Sequence, residues 1–161
     1  MSNMKPLPPT LIDEKVHETD EDLKNELHIA EQFARYYDCS LHKESQFDHV
    51  DLCVRKNGRW IGFVECKARN TACGDYKDVM LEKNKFLKIK DQIKHSKNLP
   101  IYFVVWWKKC NTMGRVNLDN YKLQQDNLVY LSPRRDNRDM GTQLLIPIND
   151  FEIFYRSDKV N

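Results

Sequence analysis

No run of apolar residues in this chain approaches the roughly 20 needed to cross a bilayer. The longest candidate, 101–107, is only strand-sized. The first ten residues lack the apolar stretch of a secretory signal, so a cytoplasmic location with no membrane partner is the expectation. Cysteine is spaced badly for crosslinking. Cys39, Cys53, Cys66, Cys73 and Cys110 make an odd number, with no C-x-x-C pair among them. That argues against a disulfide framework or a zinc site and for plain reduced thiols. Net charge is only +2, so the overall balance does not by itself point to nucleic acid. The chain also has no internal repeat and no low-complexity tract.

What is present fits one soluble domain. The chain has 161 residues, 40% of them apolar and 31% charged, enough for a real core. Charge is unevenly spread. Residues 1–31 carry eight acids and three bases, a net of −5, while 77–109 carry nine lysines and three acids, a net of +6. Such asymmetry makes a basic surface on a nearly neutral protein, or simply solvated helix faces.

Residues 1–18 contain Pro6, Pro8 and Pro9 without periodicity and read as an N-terminal arm, with one domain over 19–161. Thr19 reads as an N-cap, followed by Asp20, Glu21 and Asp22, which suit the helix dipole. A helix over 20–37 then places Leu23, Leu27, Ala30, Ala34 and Tyr37 on one face, widened by Ile29 and Phe33. Val50, Leu52 and Val54 alternate with polar residues, Asn57-Gly58 signals a hairpin turn, and 59–67 reads as the return strand. The spacing predicts a loop over 70–75, a helix over 78–95 and a buried strand over 101–107. Trp106 and Trp107 fall on opposite faces of that strand, one for the core and one to stack on a base or pack under a loop. Residues 111–125 are a hairpin or irregular. Short strands follow at 128–131 and 143–148, with Pro147 marking an edge or strand end, and 151–155 closes the fold. The order describes an α/β or α+β domain around a mixed sheet.

Glu65 and Lys67 lie two apart on the second hairpin strand, so both share the face of Ile61 and Phe63. A strand that ends an apolar row with a carboxylate and an ammonium invites explanation, because buried charge is costly unless paired or metal-bound. Asp51 lies across the hairpin. Two carboxylates from adjacent strands suit Mg²⁺ or Mn²⁺. A metal there would activate a bound water and neutralise charge on a phosphodiester, and Lys67 would orient or deprotonate that water or stabilise charge on phosphorus. The plainer reading is a surface ion pair with Asp51 as a turn cap. Register separates the cases. A strict two-residue turn pairs Asp51 with Val64 and Asp48 with Lys67. A three-residue bulged turn, or another local irregularity, puts Asp51 on the Glu65 face. Asp48 is the alternative ligand.

The runs 47–54 (FDHVDLCV), 57–58 and 62–69 (GFVECKAR) resemble the PD-(D/E)XK nuclease core, with the 14-residue step from Asp51 to Glu65 seen in small phage-type members. Tyr76, Lys85, the strand at 99–105, the cluster at 134–139, residues 145–147 and Phe151 extend the likeness over roughly 20–154. No proline precedes Asp51, so the first half of the motif is degenerate. The resemblance implies a restriction-endonuclease-like fold, with a mixed central sheet flanked by helices. It implies a Mg²⁺- or Mn²⁺-dependent DNA endonuclease or Holliday junction resolvase of a phage, acting in the host cytoplasm. Branched or single-stranded DNA is then the partner, and structure-selective cutting often needs a homodimer. The rival is a DNA-binding protein that kept the fold and lost catalysis. The implied catalytic set is Glu26, Asp51, Glu65 and Lys67, with Glu26, Asp51, Glu65 and Cys66 at the metal. Glu26 is preferred to Glu31 as the helix acid because it falls within the apolar arc of its helix. For phosphate contacts, Lys83 and Lys90 share a helical stripe with Lys94, Lys85 rests on the family match, and Arg134, Arg135 and Arg138 form a second basic cluster.

Overall fold

The computed structural model describes residues 19–47, 49–94, 98–132 and 141–157; the arm at 1–18 lies outside them. The first helix, α1 (Asp20–Tyr37), opens with a reciprocal capping box: Asp22 N–H donates to the Thr19 side chain, and the Asp22 carboxylate accepts from Thr19 N–H. Strands β1 (Ser40–His42), β2 (Leu52–Lys56) and β3 (Arg59–Arg69) follow. After β4 (Asp78–Glu82) come α2 (Lys83–Ile93), β5 (Ile101–Trp107) and β6 (Thr112–Asn117). The chain continues as β7 (Leu128–Leu131), β8 (Gly141–Pro147) and β9 (Glu152–Arg156). The large sheet runs β1-β2-β3-β5-β6-β9, parallel only between β3 and β5, and a small antiparallel sheet runs β4-β8-β7. This is the expected α+β fold with a mixed central sheet.

Alternation along the central strands divides the core in two. Phe63, Ile101, Phe103, Val105 and Trp107 face α2 and the small sheet. Leu52, Val54, Val64, Val104 and Met113 face Ile29 and Phe33 of α1. Trp106, on the α1 side, packs 4.4 Å from His28 and donates to Asn111, so it serves the helix interface. Trp107 is the core partner of the pair.

Three expectations change. The helix predicted over 78–95 starts only at Lys83, because Val79 and Leu81 join a strand paired with Ile146 and Leu144 of β8. Their spacing fits either period, and cross-strand partners decide between them. The buried face of α1 centres on Ile29 and Phe33, leaving Leu23 and Leu27 exposed. The undecided stretch after β5 supplies β6, antiparallel to β5.

Candidate active site

The β2–β3 hairpin sets the geometry. Lys56 pairs with Arg59 across Asn57 and Gly58, both at positive φ (52° and 74°), so the turn is the two-residue kind. That register alone puts Asp51 on the wrong face. However, Arg55 pairs with Trp60 while Val54 pairs with Gly62, so Ile61 bulges out of β3. The shift carries on to Leu52 and Val64, and the next positions in line are Asp51 and Glu65. The irregularity lies inside the strand, not at the turn. Gly62 beside it is needed for close approach, since a Cβ there would meet the Pro100 carbonyl oxygen at 3.0 Å.

Asp51 sits just before β2, where β3 runs on without that neighbour. Its Oδ2 accepts from Cys66 N–H at 2.7 Å, fixing the carboxylate against the strand that carries Glu65. The preceding backbone is pinned as well: His49 N–H donates to Gln92 of α2 at 2.7 Å. Asp48 lies outside the described residues.

Glu65 is 7% exposed, and its Oε1 has no hydrogen-bond partner among the described residues. Burial pushes its carboxyl well above the ordinary carboxylate range, the Asp51 charge pushes it further, and Lys85 pulls it back. Lys85 Nζ stands 3.6 Å from Glu65 Oε2. Lys67, Lys85 and Glu82 line one pocket with Glu65, walled by Phe103 and Met80. Arg69, farther along β3, donates to the Met80 carbonyl at 2.8 Å and ties the central sheet to β4 beside this pocket.

Glu26 is largely buried on α1, ion-paired with Lys43 at 2.8 Å, whereas Glu31 is exposed. Burial chiefly raises the Cys66 thiol; the Asp51 and Glu26 carboxylates add to it, which places all three groups in one electrostatic neighbourhood. The structure thus brings Asp51, Glu65, Lys67 and Lys85 together, with Glu26 and Cys66 adjoining. Lys90 is elsewhere, paired with Asp119 at 3.2 Å. Lys83 opens α2 and is half-buried. Arg134, Arg135 and Arg138 lie outside the described residues. Spacing did not reveal Glu82, which lines the pocket, or Lys43, Arg69 and Gln92, whose partners lie on other elements.

Among the described residues no three His, Cys, Asp or Glu side chains are grouped to hold a metal. A hard divalent ion needs fewer, because Mg²⁺ keeps several waters and commonly takes one or two carboxylates plus substrate phosphate. The donorless Oε1 of Glu65, opposite Asp51 in register, fits that requirement. No curated protein sequence matches the chain. Over residues 13–154, however, it matches the model of the family described as "phage putative PDDEXK endonuclease", and the chain belongs to that PD-(D/E)XK nuclease family.

Proposed function

We propose that this chain is a Mg²⁺- or Mn²⁺-dependent DNA endonuclease of a phage, with its reaction centre at Asp51, Glu65 and Lys67. The observation that carries the reading is Glu65: a buried carboxylate with one oxygen lacking any donor, at the wall of a pocket that two lysines share. An unsatisfied buried acceptor costs on the order of 1–3 kcal/mol, a cost that suits a site awaiting a ligand. Asp51 and Glu65 hold the cation, with Glu26 and Cys66 at its margin. Once bound, the cation supplies charge neutralisation for the phosphodiester and makes water a better nucleophile. Lys67 orients that water or stabilises charge developing on phosphorus. Lys83, Lys85 and Lys90, with Arg134, Arg135 and Arg138, are the proposed phosphate contacts. The reading extends to an endonuclease or junction resolvase in the host cytoplasm, acting on branched or single-stranded DNA, with a homodimer as the assembly for structure-selective cutting.

A second reading keeps the fold and DNA binding but not catalysis. It is favoured by the absence of a three-ligand group among the described residues. Incubating the protein with linear, single-stranded and branched DNA, with Mg²⁺ or with chelator, decides between the two. Cleavage that needs metal and disappears in Glu65→Ala and Lys67→Ala supports the enzyme. Binding to DNA without any cutting supports the second reading. Cutting of all three substrates at one rate removes the resolvase assignment.

A further inference from the structure

The first turn of α2 holds no acidic residue and no side-chain cap, and it carries Lys83 and Lys85. Cations at a helix N-terminus oppose the macrodipole, which favours anions there. Glu82 stands at the N-cap without a capping bond, and the two lysines work against the dipole, so their reason lies outside the helix. For Lys85 the reason is tertiary: its ammonium lies 3.6 Å from Glu65 Oε2, facing the same pocket. A carboxylate 7% exposed needs a cation nearby, and Asp51 beside it makes the need greater.

We infer that Lys85 is the resident counter-ion of Glu65, occupying the carboxylate until a divalent cation displaces it. The inference rests on the metal-dependent reading above. Three features make the ammonium displaceable rather than fixed. Its distance is well beyond the roughly 2.7–2.9 Å of a strong charge-assisted hydrogen bond. Its side chain is 33% exposed, so the released head returns to water without a large desolvation cost. It also leaves Glu65 Oε1 untouched, so an incoming ion meets one oxygen with no donor among the described residues, while the carboxylate is steadied by the Asp51 backbone N–H. A divalent ion at the carboxylate repels the ammonium beside it, and that repulsion favours exchange of the two. The exchange keeps the buried acid compensated in both states. Lys85 is thus a positioning residue for the metal site.

The test is Mn²⁺ binding by the full chain without DNA, followed by calorimetry at about pH 8.5, where protons compete least for carboxyls. Wild type is compared with Lys85→Met, Lys85→Arg and Lys88→Met, each checked for folding by thermal melting. Lys85→Met is expected to bind Mn²⁺ about five- to tenfold more tightly, because the competitor is gone. Lys85→Arg keeps the competitor and stays within about twofold of wild type, as does Lys88→Met, which removes an exposed charge from the same helix. Unchanged or weaker binding in Lys85→Met overturns the inference and leaves the metal site standing. Equal tightening in Lys88→Met also overturns it, since the effect would then be general charge. If wild type and all variants fold but none binds Mn²⁺, the metal-dependent reading falls and the inference with it.

Discussion

Glu152 on β9 accepts from the Tyr37 hydroxyl at 2.6 Å and from Arg115 Nε at 3.0 Å, whereas Glu65 on β3 has one donorless oxygen and a lysine 3.6 Å from the other. The Arg115 guanidinium is itself stacked 3.8 Å from the Tyr37 ring and 4.3 Å from that of Tyr102. Every strong donor around Glu152 is thus held in place, and its carboxyl is lowered below the ordinary range, chiefly by the Tyr37 hydrogen bond. Glu65 shifts the other way, mainly through burial. The exposed acid, which has water available, receives two protein donors. The buried acid, which needs them more, accepts from the Asp51 backbone but keeps one oxygen with no donor among the described residues. A chain able to assemble a donor set around one glutamate has left the other open, and an open buried acceptor is what a ligand site requires.

The contrast is broken most directly by activity. Glu65→Ala is expected to lower metal-dependent DNA cleavage by about 10³-fold, the scale of a lost ligand in phosphoryl chemistry. Glu152→Ala should leave the cleavage rate within about threefold. Initial rates on the preferred DNA substrate at saturating Mg²⁺ check both. Equal losses in the two variants would mean that Glu65 acts through the fold alone.

Stability in chelator sharpens the comparison at a smaller scale. Because the folded carboxyl of Glu65 is raised, the wild type keeps its full stability below the unfolded carboxyl value, near pH 4.3. It loses stability as pH rises through the folded value. A neutral amide carries no such penalty. Glu65→Gln is therefore expected to be more stable than wild type by about 1–3 kcal/mol near pH 8, with the gain fading towards about pH 4. Urea denaturation at several pH values measures this. Magnesium reverses the order: a site filled to about 100 times its Kd adds about 2.7 kcal/mol to wild type and little to the variant. A Glu65→Gln protein destabilised at every pH would show that the ionised carboxylate is already well compensated.

The two regions were unequally legible in the sequence. Capping by Thr19, the Asn57-Gly58 turn and the apolar run of β5 are local signals, and each element forms where those signals place it. Glu26 was separable from Glu31 because helix periodicity alone assigns their faces, and the buried face includes the first. The register of Asp51 was not legible, since it depends on a bulge at Ile61 that no turn rule marks. The position of Lys85 was hidden by the start of α2. In a helix running from residue 78, Lys85 lies two turns in; with the true start at Lys83 it lies in the first turn, beside the pocket. The Tyr37–Arg115–Glu152 cluster joins α1, β6 and β9, and such contacts have no signature in sequence spacing.

The smallest expected effect falls on that cluster. Tyr37→Phe removes one hydrogen bond to an ionised acid but keeps the ring under Arg115 and against Phe33. The Glu152 side chain is 60% exposed, so solvent screening limits the cost to about 0.5–1 kcal/mol. The sign of its pH dependence is opposite to that of Glu65. A depressed carboxyl contributes stability above its unfolded value, near pH 4.3, and loses it as pH falls through the folded value. The difference between Tyr37→Phe and wild type should therefore be full near pH 7, shrink below about pH 4 and leave cleavage unchanged. Urea midpoints across this range resolve a difference of that size. If the difference instead widened in acid, the hydroxyl would be favouring the protonated acid, and the two glutamates would no longer be opposites.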